Sequence, residues 1–68
     1  MKILKISNIA PKAIQIDLEN EQWVQMWKFG HTIYTSTSDK VKKSTLVNIK
    51  KDAELVNWNE KELEKLYL

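Results

Sequence analysis

Two neighbouring stretches of this sequence alternate apolar and polar residues with period two. In the first, Ile14, Ile16 and Leu18 alternate with Gln15, Asp17 and Glu19; in the second, Trp23, Gln25, Trp27 and Phe29 alternate with Val24, Met26 and Lys28. Successive side chains of an extended strand point to opposite faces, so the pattern belongs to a sheet rather than a helix. The residues between, Glu19-Asn20-Glu21-Gln22, are all polar. A tight turn centred on Asn20-Glu21 makes the two stretches a hairpin and pairs Leu18 with Trp23, Ile16 with Gln25 and Ile14 with Trp27. In that register the aliphatic residues and the tryptophans share one face.

A second turn is marked by Phe29-Gly30-His31-Thr32, where Gly30 opens a two-residue loop. Glycine there supplies the positive φ of a type II′ turn, which sets Trp27 opposite Tyr34 and Phe29 opposite Thr32. The result is a meander with strands at about 13–19, 22–29 and 32–37. Lys2 to Ser7, with Ile3, Leu4 and Ile6, predicts a further strand that ends at Asn8-Ile9-Ala10-Pro11.

At the other end the sequence reads as a helix over about 60–67. Asn59 caps it, Glu62 completes a capping box, and Trp58 staples onto Leu63 in the first turn. Leu63, Leu66 and Tyr67 then form one stripe, with Lys61, Glu62, Glu64 and Lys65 toward water. Between Thr37 and Trp58 two patterns compete. Leu46, Ile49, Ala53 and Val56 have helical spacing, whereas the β-branched Thr45, Val47, Ile49 and Val56 favour a hairpin of Thr45–Lys50 and Glu54–Trp58 closed at Lys51-Asp52. The hairpin is preferred, fed by a short helical turn from Ser38-Asp39 through Lys43. The expected fold is α+β: an antiparallel meander of three to five strands with a short C-terminal helix packed on one face, all in a single domain over residues 1–68.

Composition narrows the function classes. A chain of 68 residues has room for one hydrophobic core. Its 43% hydrophobic content, three tryptophans, single Gly and single Pro argue against disorder. With no cysteine there is neither a disulfide framework nor a thiolate zinc site, which suits a reducing, cytoplasmic setting. The opening Met1-Lys2-Ile3-Leu4-Lys5-Ile6 is charged and lacks a small-residue cleavage site, so no signal peptide is expected. No run approaches the roughly 20 apolar residues of a membrane helix, and no membrane association is expected. All 11 basic residues are lysine. Arginine makes the bidentate contacts to guanine edges and phosphates, so its absence argues against sequence-specific nucleic-acid recognition. A composition rich in Lys, Ile and Asn without Arg is what an A/T-rich coding sequence, bacterial or phage, produces.

The ending Glu54-Leu55-Val56-Asn57-Trp58, followed by a short capped segment with Leu63 and Leu66-Tyr67, resembles a family of small bacterial proteins of unknown function. Members of that family open with a strand meander, pass through a short helix, and close with an aliphatic-x-Trp motif followed by a short acidic-leucine segment. Val56, Trp58 and Leu63 carry the likeness at the end, and Ile14-x-Ile16-x-Leu18 carries it earlier. Asn59 stands where the family has Pro after the Trp, and Asn20-Glu21 stands where it has an Asp-Gly turn. The resemblance implies a compact α+β accessory protein, encoded in some genomes beside a toxin-like partner, with no catalytic residue to carry over.

No catalytic constellation is visible. His31 is the only histidine and sits at a turn without a second His or Cys to form a metal site or a base–nucleophile pair. A single glycine cannot build a phosphate-cradling loop, and Ser36, Ser38 and Ser44 lack a base. Glu60 and Glu64 share a helical face, where carboxylates near a helix N-terminus complement its dipole. No enzyme activity, metal or cofactor is expected. Charge is unevenly placed: residues 39–52 carry Lys40, Lys42, Lys43, Lys50 and Lys51 against two aspartates, while residues 54–68 are acidic. That lysine cluster is a candidate for an acidic protein surface or for phosphates. Trp23, Trp27, Phe29 and Tyr34 are read as core beneath the helix. The opposite face, with Val24, Met26 and Ile33 among Lys28, Thr35 and Thr37, becomes the candidate docking or homodimer surface, where Met26→Glu should disrupt association without unfolding. The function expected is that of a non-enzymatic accessory or regulatory protein acting by protein–protein contact, inhibitor- or antitoxin-like. The alternative is weak, lysine-mediated nucleic-acid binding.

Overall fold

The computed structural model describes residues 2–68. Four strands come first: β1 (Ile3–Ala10), β2 (Ala13–Leu18), β3 (Trp23–Phe29) and β4 (Thr32–Thr37). Two helices follow, α1 (Lys43–Leu55) and α2 (Glu60–Tyr67). The strands form an antiparallel meander in the order β1-β2-β3-β4, with both helices on one face, so the molecule is α+β.

The turns explain the meander. Gly30 has φ of 60° while His31 beside it does not have a positive φ, the pattern of a type II′ turn. The observed pairs Trp27↔Tyr34 and Phe29↔Thr32 are those its length dictates. Asn20 and Glu21 both have positive φ, 62° and 61°, as a type I′ turn requires. The β1–β2 connection is Pro11-Lys12, with proline setting the first turn position and Lys12 at φ 54° occupying one that glycine would fill without strain.

The register after the Asn20-Glu21 turn departs from the expected one. The ladder pairs Asp17↔Trp23, Ile16↔Val24, Gln15↔Gln25, Ile14↔Met26 and Ala13↔Trp27. Gln22 faces two residues of β2's end: its carbonyl accepts from the Leu18 N–H at 2.8 Å and its N–H donates to the Glu19 carbonyl at 3.4 Å. That extra residue is a bulge, and it moves every later pair by one. Because the side-chain period is two, a slip of one residue exchanges the faces. Val24 and Met26, not Trp23 and Trp27, therefore join Ile14, Ile16 and Leu18 in the core, and all five are at most 4% exposed.

β1 uses the same device. Ile3 pairs with Leu18 and Lys5 with Asp17, leaving Leu4 as the extra residue. The bulge lets Ile3 and Ile6, three apart, both point inward, and both are buried. A second irregularity between Asn8 and Ala10 carries the strand through to Ala10, beyond the expected end. The Asn8 side chain braces it by donating to the carbonyls of Ala10 and Ala13, each at 3.1 Å.

Residues 43–55 form a helix, not the expected hairpin. The apolar residues at helical spacing are the ones that bury: Ile49 and Ala53 are fully buried, and Leu46 and Val56 pack against the same cluster. Val47, which the strand reading would place inward with Thr45 and Ile49, is 48% exposed. The expected helical turn from Ser38 to Lys43 is instead a turn at Asp39-Lys40, followed by Val41 and the extended Lys42 before α1.

α1 stops through backbone geometry. The Trp58 N–H donates to the Ala53 carbonyl at 2.8 Å and the Asn57 N–H to that of Glu54 at 3.1 Å. With Asn57 at φ 52°, this is a Schellman motif whose left-handed position is filled by asparagine, the usual substitute for glycine. Trp58 continues it at φ 60°, a strained conformation for a bulky residue. The strain aims the indole into the core, where Trp58 is 4% exposed beside Leu63, Ala53 and Ile49. α2 then begins at once. The Asn59 side chain accepts from the Glu62 N–H at 3.0 Å, as expected of the cap. The reciprocal half of the capping box is not made, because the Asn59 N–H bonds the Val56 carbonyl and the Glu62 carboxylate pairs with Lys65.

Two pairs of side chains tie α1 to the sheet and α2 to α1. Lys28 of β3 pairs with Glu54 of α1 at 2.9 Å. The Glu54 carboxyl is held below its usual value, chiefly by the Lys28 ammonium bonded to it; burial opposes this, and the nearby Trp58 indole N–H, short of hydrogen-bond geometry, assists. The Tyr67 hydroxyl of α2 donates to Asp52 of α1. Burial, then that hydrogen bond and the Asp52 charge, push the Tyr67 phenol well above its ordinary range.

Candidate functional site

Opposite residues of an antiparallel ladder share a face, so the observed register defines the side of the sheet that the helices leave open. On it lie Trp23, Gln25, Trp27 and Phe29 of β3, Gln15 and Asp17 of β2, and Tyr34 and Ser36 of β4. The four β3 residues form a row roughly 20 Å long at the usual strand rise. Trp23 and Trp27 are half-buried among their neighbours, while Phe29 and Tyr34 are 64% and 55% exposed. The Phe29 and Tyr34 rings meet edge to face, with centroids 5.6 Å apart and planes at 64°. Ala13, opposite Trp27, is 1% exposed; its small side chain leaves room for the indole to lie across the sheet.

Polar groups between the aromatics are already ordered. The Gln25 amide donates to Gln15 Oε1 at 2.8 Å, and the Gln15 amide donates to Asp17 Oδ1 at 3.0 Å. Ser38 pins the start of the row, its Oγ accepting from the Trp23 N–H at 2.8 Å. The only charged side chains at paired strand positions of this face are Lys5 and Asp17, which sit opposite each other. The face is thus aromatic, amide-bearing and close to neutral. Such a surface offers rigid apolar contact area with oriented hydrogen-bonding groups, the composition of interface anchors.

The residues singled out from the sequence fall elsewhere. Val24 and Met26 have no exposed surface, and Ile33 is half-buried against the same core. They are core residues rather than a docking face, because the bulge at Leu18-Glu19 turns them inward. The lysines divide into two groups, one in the β4–α1 connection at the end of the sheet and one along α1. Lys40 and Lys42 line a depression of about 260 Å³ with Lys2, Glu19, Val41 and Thr45, and Lys43 opens α1 beside it. Lys50 and Lys51 lie two turns further along α1, roughly 10 Å away. No acidic residue lies in the first turn of α1, so Lys42 and Lys43 oppose the helix dipole there. His31 is exposed at the β3–β4 turn.

The open face was hidden in the sequence by a one-residue uncertainty. Both candidate faces of β3 are apolar, and a turn drawn without a bulge selects the wrong one. The β4 residues carried a usable signal: Thr35 and Thr37 lie opposite Met26 and Val24, a small-residue border suited to a core's edge. Among the described residues no three His, Cys, Asp or Glu side chains gather into a metal-binding group, and no helix is long and apolar enough to cross a membrane. Comparison with models of known protein families, with curated proteins and with solved structures finds no match to this chain.

Proposed function

We infer that this chain is a non-enzymatic binding protein that acts by protein–protein contact through the open face of its sheet. The observation that carries the reading is the row of Trp23, Trp27 and Phe29 with Tyr34 beside it, uncovered by any other element of the described residues. Aromatic rings bury large area at low entropic cost and dominate the energetics of interfaces. Exposing them carries an aggregation hazard, which a partner that covers them removes. An inhibitor or antitoxin-like protein works by occupying another protein's surface, and this face suits that role.

The placement of charge weighs against a nucleic-acid partner. Single-strand binders combine stacking aromatics with a positive groove along the same surface. Here the aromatics lie along the open face, whereas Lys43, Lys50 and Lys51 belong to α1 on the covered side and Lys40 and Lys42 to the connection at one end of the sheet, while the paired strand positions of the aromatic face carry only Lys5 against Asp17.

The test is capture of partners from the source cell by tagged protein, with and without nuclease, using two variants. Replacing Phe29 and Tyr34 by Ala is expected to weaken capture at least about thirty-fold, the loss of about 2 kcal/mol typical of an anchor residue, with an unchanged circular dichroism spectrum. Changing Lys40, Lys42 and Lys43 to Glu is expected to leave capture intact. Full capture by the aromatic variant, or capture that disappears with nuclease and with the lysines, overturns the reading.

A further inference from the structure

The two edges of the sheet are finished differently. β1 is broken by bulges at Leu4 and near Ile9, and its outward Asn8 N–H is taken by the Glu60 carboxylate of α2 at 3.1 Å. These are the devices by which edge strands are shielded from pairing. β4 has none of them. Its register with β3 is unbroken from Thr32 to Thr37, the segment Thr-Ile-Tyr-Thr-Ser-Thr has no charge and no proline, and five of its six residues are exposed.

The direction of its backbone groups follows from the ladder. The Ser38 N–H donates to the Trp23 carbonyl at 3.0 Å, so alternation turns Thr32, Tyr34 and Ser36 toward β3 as well. Ile33, Thr35 and Thr37 then present their N–H and C=O groups away from the sheet.

We propose that β4 is the dimerisation edge of this protein, pairing antiparallel with β4 of a second copy about a two-fold axis at Thr35. With Thr35 opposite its own equivalent and Ile33 opposite Thr37, every outward N–H and C=O of the three residues finds a partner. The uncharged segment sets no like charges against each other, and Thr–Thr is a favourable cross-strand pair. Just past the ends of β4, the turn residue His31 of one copy then lies at the same end of the pair as the turn residue Asp39 of the other. A two-fold axis perpendicular to the sheet keeps like faces together, so the two aromatic faces become one across an eight-stranded sheet. The pairing does not depend on what that face binds.

Sedimentation and hydrogen exchange on the purified chain, without any partner, test it. The expected mass at about 100 µM is twice 8.0 kDa, with amides of Ile33, Thr35 and Thr37 gaining protection as concentration rises while those of Tyr34 and Ser36 stay protected throughout. Thr35→Lys, which sets two ammonium groups against each other, and Thr35→Pro, which removes an outward N–H, should each abolish the dimer and keep the monomer's circular dichroism. A wild-type chain that stays monomeric up to about 1 mM, a dimer that leaves the three amides unprotected, or one that survives Thr35→Lys overturns the proposal. Loss of partner capture with the dimer intact would bear on the open face alone.

Discussion

Met26→Glu is expected to unfold the chain. Met26 has no exposed surface, lies between Ile14 of β2 and Thr35 of β4, and belongs to the cluster that Ile49 and Leu63 close from the helices. The nearest cation along β3, Lys28, is engaged by Glu54. A carboxylate at position 26 would be buried without a partner, at a cost of at least about 3 kcal/mol on top of the lost apolar contacts. Domains hold roughly 0.05–0.15 kcal/mol per residue, so a chain this short has about 3–10 kcal/mol in total. Far-UV circular dichroism at neutral pH should show no cooperative melting transition. Met26→Leu, which nearly conserves volume, should cost less than about 1.5 kcal/mol. A folded Met26→Glu that merely failed to associate would restore the face assignment that the simple turn suggests, and the open aromatic face would be lost with it.

Trp58→Ala is the second large effect. The indole is buried where α1 gives way to α2, and its backbone holds a left-handed conformation that burial of the side chain and the hydrogen bonds ending α1 support together. Truncating a buried Trp costs about 3–5 kcal/mol. Little returns as relieved strain, because alanine also pays about 1 kcal/mol or more in that conformation. The melting midpoint should fall by about 12 °C or more, at roughly 4–8 °C per kcal/mol for a domain of this size. The Trp58 indole N–H makes no hydrogen bond. Trp58→Phe therefore loses volume and the weak pull of the indole N–H on Glu54 but no hydrogen bond, and should retain most of the stability in urea titration. Trp58→Ala within about 1 kcal/mol of wild type would contradict the buried indole's role.

Much of the architecture was legible because local chemistry and pattern agreed. Gly30 selected the second turn and its register, Asn59 marked the start of α2, and the alternation at 14–18 and 23–29 marked two strands. Where they failed, two signals of equal strength competed. Thr45, Val47 and Ile49 are β-branched and suggest a strand, yet Leu46, Ile49, Ala53 and Val56 repeat at helical spacing. Tertiary burial of Ile49 and Ala53 against the sheet decides for the helix. The register of β3 failed for a different reason. The position of the turn was right, but one extra residue between the turn and the ladder exchanged the faces, and no residue type announces a bulge at Leu18-Glu19. The consequence for function is direct: residues taken for core became the candidate site, and Val24, Met26 and Ile33, taken for a docking surface, became core. The lysines are clustered in sequence, but the fold divides them between the connection at the sheet's end and α1, and puts none at a paired position of the aromatic face.

The exchange of faces is the claim on which the rest stands, and backbone contacts across β2 and β3 measure it most directly. The Lys28 N–H donates to the Lys12 carbonyl at 3.0 Å, which makes the pairs Gln15↔Gln25 and Asp17↔Trp23 the close, non-hydrogen-bonded ones. Their α-protons should give strong nuclear Overhauser effects in a solution spectrum, with Trp23 and Trp27 rings free of contacts to Ile49 or Leu63. Strong effects pairing Ile16 with Gln25, or Ile14 with Trp27, together with tryptophan contacts to the helices, would contradict the account and return the aromatics to the core.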